Sequence, residues 1–122
     1  MSAVCVLLVE DNDRIRVLLT EELRDAGFDV VGAQTGDEAV ELIYDPPMTF
    51  TALVTDLHML GHADGADVAA SRRSIWPSTP VIIVLGRPDV FEPHWKQNLG
   101  YKLLRKPLLA SDLVRLVASL TG

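Results

Sequence analysis

Thr51-Ala52-Leu53-Val54-Thr55-Asp56 reads as a short, covered strand that ends on a carboxylate, and the rest of the chain falls into order around it. Four further apolar runs of strand length accompany it, at Val4 to Val9, Phe28 to Ala33, Val81 to Leu85 and Tyr101 to Leu104. Each is followed by a segment with room for a helix. Parallel strands demand such crossovers, because the chain must return to the starting end of the sheet before the next strand begins. A continuous apolar run such as Val4 to Val9, rather than an alternating one, suits a strand covered on both faces. The expectation is an α/β fold in which a β-α unit repeats five times, a three-layer sandwich with helices on both faces of a parallel sheet. It forms one domain over residues 1–122, with no linker and no internal repeat.

The intervening segments carry helix signals. Asp11 or Asp13 can cap a first helix in which Ile15, Leu18, Leu19, Leu23 and Ala26 recur at helical spacing, and Gly27 supplies an exit. Thr35 or Asp37 can cap a second, with Ala39, Val40, Leu42 and Ile43 on its covered side and Pro46-Pro47 as its stop. A third runs from about Ala66 to Ile75, with Val68, Ala69 and Ile75 partly inward and Arg72-Arg73 on a solvated face. Between Asp89 and Asn98 two prolines flank or interrupt a rough apolar stripe, so a short or distorted helix is expected there. Leu109, Leu113, Leu116, Val117 and Leu120 define a final amphipathic helix.

Composition narrows the function classes. A chain of 122 residues buries roughly two-thirds of the surface its unfolded form exposes. With 48% apolar residues, the composition argues against disorder. A net charge of -6 and a pI near 4.9 argue against direct nucleic-acid binding and against an anionic membrane surface, without excluding an anion held at one local cation. Cys5, the single cysteine, sits in the first apolar run and reads as an inert core thiol that can build neither a disulfide framework nor a cysteine metal site. His58, His62 and His94 lack zinc-ligand spacing. The amino terminus lacks the features of a signal peptide and no run approaches a membrane span, so a cytoplasmic location is expected.

The polar residues at strand ends carry the chemistry. If the first and third strands are neighbours, Glu10, Asp11 and Asp56 meet at one rim, where polar groups of such sheets do their work. Three carboxylates in one small site repel unless a cation neutralises them, and their oxygens suit a hard ion such as Mg2+. Lys106 at another strand end could hold a phosphoryl oxygen. Attack by the Asp56 carboxylate on phosphorus would give an acyl phosphate without a separate base. Solvated loop acids that merely cap helices, and other metal-dependent catalysis, remain open on spacing alone.

Taken together, Leu7-Leu8-Val9-Glu10-Asp11, Ala52-Leu53-Val54-Thr55-Asp56-Leu57-His58-Met59 and Leu104-Arg105-Lys106-Pro107 resemble the receiver domain of two-component response regulators, CheY-like in fold, over essentially the whole chain. The resemblance implies a flavodoxin-like doubly wound five-stranded sheet in the order 2-1-3-4-5. It implies that Asp56 is the phosphoacceptor for a histidine kinase or a histidine phosphotransfer protein. Glu10, Asp11, Asp56 and the backbone carbonyl of His58 would hold Mg2+, Lys106 would contact the phosphoryl group, and the Lys106-Pro107 peptide bond would be cis. The module would be a phosphorelay component rather than an enzyme beyond its own phosphoryl transfer and dephosphorylation. Its output would be contact with an unidentified downstream protein, with a homodimer open.

The sequence also departs from that family. Leu85 stands at the end of the fourth apolar run where the family usually places threonine or serine, and leucine cannot donate a hydrogen bond. Leu103 replaces the aromatic three residues before the lysine, with Tyr101 nearby. Leu60 stands where proline is common and Asp64-Gly65 arrives one residue late, so a rearranged loop after Asp56 is expected. Pro93, His94 and Trp95 could form a docking feature, although a packed Trp95 is the plainer reading, and Trp76 reads as a helix-end packing group. A degenerate receiver that docks a partner without phosphorylation is the alternative. A haloacid-dehalogenase type of phosphotransferase would need a second aspartate where His58 stands, and a flavin binder would want donors, not acids, after the first strand.

Overall fold

Five parallel strands form one sheet in the order β2-β1-β3-β4-β5. The computed structural model describes residues 4–44, 50–57, 64–86 and 100–122. In chain order these hold β1 (Cys5–Val9), α1 (Asp13–Asp25), β2 (Asp29–Ala33), α2 (Gly36–Tyr44), β3 (Ala52–Asp56), α3 (Gly65–Ile75), β4 (Val81–Leu85), β5 (Lys102–Arg105) and α4 (Ala110–Thr121). The expected helix over residues 89–98, with Pro93, His94 and Trp95, lies outside the described residues, as do His58, Leu60 and most of the loop after Asp56.

Alternation along the strands sorts the core into two layers. Leu7, Val9, Leu53, Ile83 and Leu85 face α2 and α3, while Val6, Leu8, Val54, Ile82 and Val84 face α1 and α4. Both faces being covered explains why these strands are apolar without interruption. The inner strands β3 and β4 are buried at every position. On α1 the covered stripe is Leu19 and Leu23, whereas Val17 and Leu18 are about half exposed.

Several expectations need correction. Asn12, not Asp11 or Asp13, caps α1, its side chain accepting the Ile15 N–H at 3.0 Å. Its extended backbone, with Asp13 already in the first turn, fits a cap better than either acid. On α3 the inward stripe is Gly65, Val68, Ala69 and Arg72, so Arg72 is 2% exposed and Ile75 is 40% exposed, the reverse of the solvated arginine pair expected. The reason is register: those four positions follow the i, i+3, i+4, i+7 spacing that puts side chains on one helical face. Cys5 is only partly buried at the start of β1, with burial and the Asp29 charge raising its thiol pKa. Leu109 is 67% exposed, leaving Leu113 and Val117 as the buried seam of α4.

Candidate functional site

Strand register brings the acids together. Val9 pairs with Thr55 across β1 and β3, so Glu10 and Asp56, each one step beyond, emerge side by side at the carboxyl end of the sheet. Both are buried, and carboxylate oxygens of Glu10, Asp11 and Asp56 lie within 4.8 Å of one another. Lys106 follows β5, two strands from Asp56, yet its Nζ stands 3.3 Å from Asp56 Oδ2 and 3.3 Å from Glu10 Oε1. A four-carbon stem can bridge that span, since neighbouring strands lie about 4.8 Å apart. Its backbone is fixed by the Lys106 N–H, which donates to the Leu85 carbonyl at 2.8 Å, and the following Lys106-Pro107 peptide bond is cis.

The supporting groups hold the backbone beneath these side chains. The Glu10 N–H donates to the Ala33 carbonyl at 3.1 Å, and Arg16 Nη1 donates to the Glu10 carbonyl at 2.8 Å. Glu10 Oε2 accepts the Asn12 N–H at 3.0 Å, so the α1 cap and the carboxylate share one turn. On the other side, Leu57 N–H donates to the Val84 carbonyl, and Gly65 N–H donates to the Leu57 carbonyl at 2.8 Å. Gly65 is required there by close approach: a Cβ on it would sit 2.1 Å from the Asp56 carbonyl oxygen. Arg16, Asn12 and Gly65 were not picked out by sequence reasoning as parts of the site. Arg16 lies one helical turn beyond Asn12, which is the signal that could have found it.

Electrostatics follow from the crowding. Burial, then hydrogen bonding and charge from Glu10, push the Asp56 carboxyl up to about 8 despite Lys106. Burial would also raise Glu10, but its bonds with Asp56 and the Asn12 N–H, together with the Lys106 charge, outweigh it and hold Glu10 below the usual carboxylate range. Asp11 is raised by burial and by Glu10. Burial works against the Lys106 ammonium, but Asp56 and Glu10 win and raise it. The Glu10 and Asp56 pair therefore shares one proton, ionised on the first and retained on the second, as close carboxylates must in a poorly solvated site.

The donor set fits a hard divalent cation. Three carboxylates against one ammonium leave two excess negative charges when all ionise, and carboxylate oxygens are the ligands such ions prefer. A cation would take over the neutralising role that the shared proton fills on Asp56. His58 lies outside the described residues. Leu85 and Leu103 do not add polar groups to this rim: Leu85 is 1% exposed in the layer facing α2 and α3, and Leu103 packs against the same layer. Tyr101 is buried with them, and the Arg73 guanidinium lies 4.9 Å from its ring centre.

Comparisons with known proteins agree with this geometry. The response regulator receiver protein CpdR of Brucella abortus is 30% identical over 110 residues, covering 89% of each chain. A putative NtrX-like response regulator of Rickettsia conorii is 29% identical over 119 residues, 96% of this chain but 25% of its own length, so the chain spans about a quarter of that relative. Among solved structures, a response regulator receiver protein of Sinorhizobium medicae superposes with a TM-score of 0.87 at 28% identity, covering 98% of this chain and 95% of the other. Among the described residues no helix is long and apolar enough to cross a membrane. With residues 6–118 matched by the family model of that domain, the chain belongs to the response regulator receiver domains.

Proposed function

We propose that Asp56 accepts a phosphoryl group from the phosphohistidine of a histidine kinase or histidine phosphotransfer protein, as one step of two-component signalling. The observation that carries the reading is a buried carboxylate held 3.3 Å from a lysine ammonium at the rim where two more carboxylates meet. In the transfer, an Asp56 carboxylate oxygen forms a bond to phosphorus while the phosphorus-nitrogen bond breaks, its electron pair staying on the imidazole, which takes a proton from solvent. The products are an acyl phosphate and a neutral histidine. Hydrolysis then returns the carboxylate and inorganic phosphate, so the module resets itself without being a turnover enzyme for a separate substrate.

Each residue has a share in that chemistry. Once a cation at the acidic rim replaces the proton that Asp56 otherwise retains, Asp56 needs no general base, because the ionised carboxylate is itself the nucleophile. Lys106 holds its positive charge where an added phosphoryl oxygen would lie and draws Asp56 toward ionisation. Glu10, Asp11 and Asp56, with the His58 carbonyl, are the residues that would hold Mg2+. When bound, that ion supplies charge neutralisation for the phosphoryl oxygens. Arg16 and Asn12 keep Glu10 in place through its carbonyl and its carboxylate. Leu85 and Leu103, packed in the core, leave transmission of the phosphorylated state to groups other than a hydroxyl and an aromatic at those positions.

Incubation with acetyl phosphate and magnesium, read by intact-protein mass, tests the proposal. Wild type should gain one phosphoryl group and Asp56→Asn should not. With the donor verified on a competent receiver, an unlabelled wild type would instead favour a phosphorylation-independent docking module.

A further inference from the structure

Thr55 carries a buried hydroxyl that the phosphoryl transfer does not use. It is 0% exposed and stands one residue before Asp56 on β3. Alternation sends its side chain, with Leu53 and Leu57, into the apolar layer facing α2 and α3, where its cross-strand neighbours are Val9 and Ile83. Valine has the same shape and would fill this place with no polar atom to satisfy. The threonine hydroxyl must instead find a partner within the layer, and its Oγ1 donates to the Asp56 carbonyl at 2.9 Å.

That carbonyl lies at the margin of the sheet. β1 ends at Val9, so its ladder with β3 stops at the pair of Val9 and Thr55, and Asp56 is the first β3 residue beyond it. Glu10 stands likewise on β1: β2 ends at Ala33, opposite Val9, and the Glu10 carbonyl accepts from the Arg16 guanidinium at 2.8 Å. Both acids that face Lys106 are thus carried by peptide units whose carbonyl is held by a side chain. On Asp56 the hold is two-sided, because α3 begins against the same oxygen. Gly65 has no room for a Cβ there, and its N–H donates to the Leu57 carbonyl at 2.8 Å. Fixing this peptide plane restricts the backbone dihedrals of Asp56, and the rotamers open to a side chain depend on those dihedrals.

We propose that Thr55 is a positioning residue for the acceptor: its hydroxyl locks the peptide between Asp56 and Leu57 and so keeps the Asp56 carboxylate aimed at the rim it shares with Glu10, Asp11 and Lys106. This role rests on Asp56 being the acceptor, and it gives Thr55 no contact with the phosphoryl group or the cation. Asp56 Oδ2 stands 3.3 Å from Lys106 Nζ, and a carboxylate oxygen of Asp56 lies within 4.8 Å of those of Glu10 and Asp11. A small change in the direction of the side chain alters all of these distances. If the hydroxyl served stability alone, every functional loss on changing it would follow the unfolding midpoint; a positioning hydroxyl separates the two.

Thr55→Val and Thr55→Ser distinguish these roles in the whole chain. Valine keeps the shape and removes the hydroxyl; serine keeps the hydroxyl and removes a methyl, which costs stability in a packed layer. Uptake of Mn2+, followed by the electron paramagnetic resonance of the free ion and competed with Mg2+, reads the acid cluster without any phosphoryl donor. Phosphorylation by acetyl phosphate at saturating magnesium, followed by intact-protein mass, reads the acceptor. Thr55→Val should bind Mn2+ more weakly and gain the phosphoryl group more slowly, each by about three- to tenfold, the size of one hydrogen bond. Thr55→Ser should match wild type in both readings although its urea midpoint is the lower of the two variants. A Thr55→Val protein that takes up Mn2+ as tightly as wild type, or losses that follow the order of the urea midpoints, would overturn the role, as would a wild type that takes up no Mn2+. A wild type that shows the expected order in Mn2+ uptake but gains no phosphoryl group from a verified donor would remove the acceptor reading and leave Thr55 a positioning residue of the cation site.

Discussion

Replacing Asp56 by asparagine should stabilise the metal-free protein, and by an amount that depends on pH in a defined direction. The carboxyl ionises at about 8 in the folded chain, against 3.8 in an unperturbed aspartate. A raised folded value means stability is fully present below the unfolded value and is lost as pH rises toward the folded one, because the unfolded chain releases a proton that the native site retains. Between pH 3.8 and 7 the loss is about 1.4 kcal/mol per unit, a ceiling of about 4 kcal/mol. Glu10, shifted the other way by the same pairing, returns part of it. Asparagine matches the shape of aspartate and carries no charge, so Asp56→Asn should exceed wild type by about 2–4 kcal/mol at pH 7, about 10 °C in Tm for a domain of this size. The gap should close toward pH 4. Magnesium should then raise wild type more than the variant, since only wild type presents all three carboxylates. Urea denaturation across pH 4 to 8, with EDTA or with magnesium, measures all of this. A variant no more stable than wild type at pH 7, or a gap that widens toward acid, would refute the shared-proton account.

Three further outcomes follow from the geometry. Gly65→Ala drives a Cβ into the Asp56 carbonyl, 2.1 Å away, so it should cost about 1–3 kcal/mol by urea denaturation and slow phosphorylation by acetyl phosphate, whereas serine substituted at the open Gly86 should leave stability nearly unchanged. Lys106→Met removes the cation between Glu10 and Asp56. It should raise the Asp56 pKa further, steepen the decline of stability from pH 6 to 8 and slow phosphoryl transfer by about a hundredfold, read by quenched-flow mass analysis. Leu85→Thr puts a hydroxyl into a fully packed apolar layer and should lose about 1–3 kcal/mol, measured by the urea midpoint; a gain would mean that Leu85 is not packed as described.

Much of this architecture is legible in the order of residues. Five apolar runs separated by helix-length segments lead to a parallel sheet, since hydrophobic periodicity and crossover length are local properties. Glu10, Asp56 and Lys106 could be picked out because each stands at or just beyond the end of a strand-like run. Errors arose where a side chain's fate depends on what packs against it. Arg72 and Arg73 are adjacent in sequence and equal in charge, but one lies on the inward stripe of α3 beneath Trp76 and the other reaches the ring of Tyr101. The Arg72 spacing from Val68 and Ala69 was visible; a charge outweighed it. The cap at Asn12 was missed because the acids on either side of it are equally good cap formers.

By itself the sequence determined the class of fold, the rim on which the acids would lie and the family they resemble, because repeating apolar patterns and strand-end residues need only local rules. Only the tertiary structure decided that Lys106 spans two strands to stand between Glu10 and Asp56, that Gly65 abuts the Asp56 carbonyl, and that the Arg72 guanidinium is buried at the far end of the sheet with two nitrogens unpaired among the described residues. Those relations join residues far apart in the chain, Lys106 reaching both Asp56 and Glu10. Their energies come from distance and exclusion of water, and neither quantity exists until the sheet has closed and the helices have covered it.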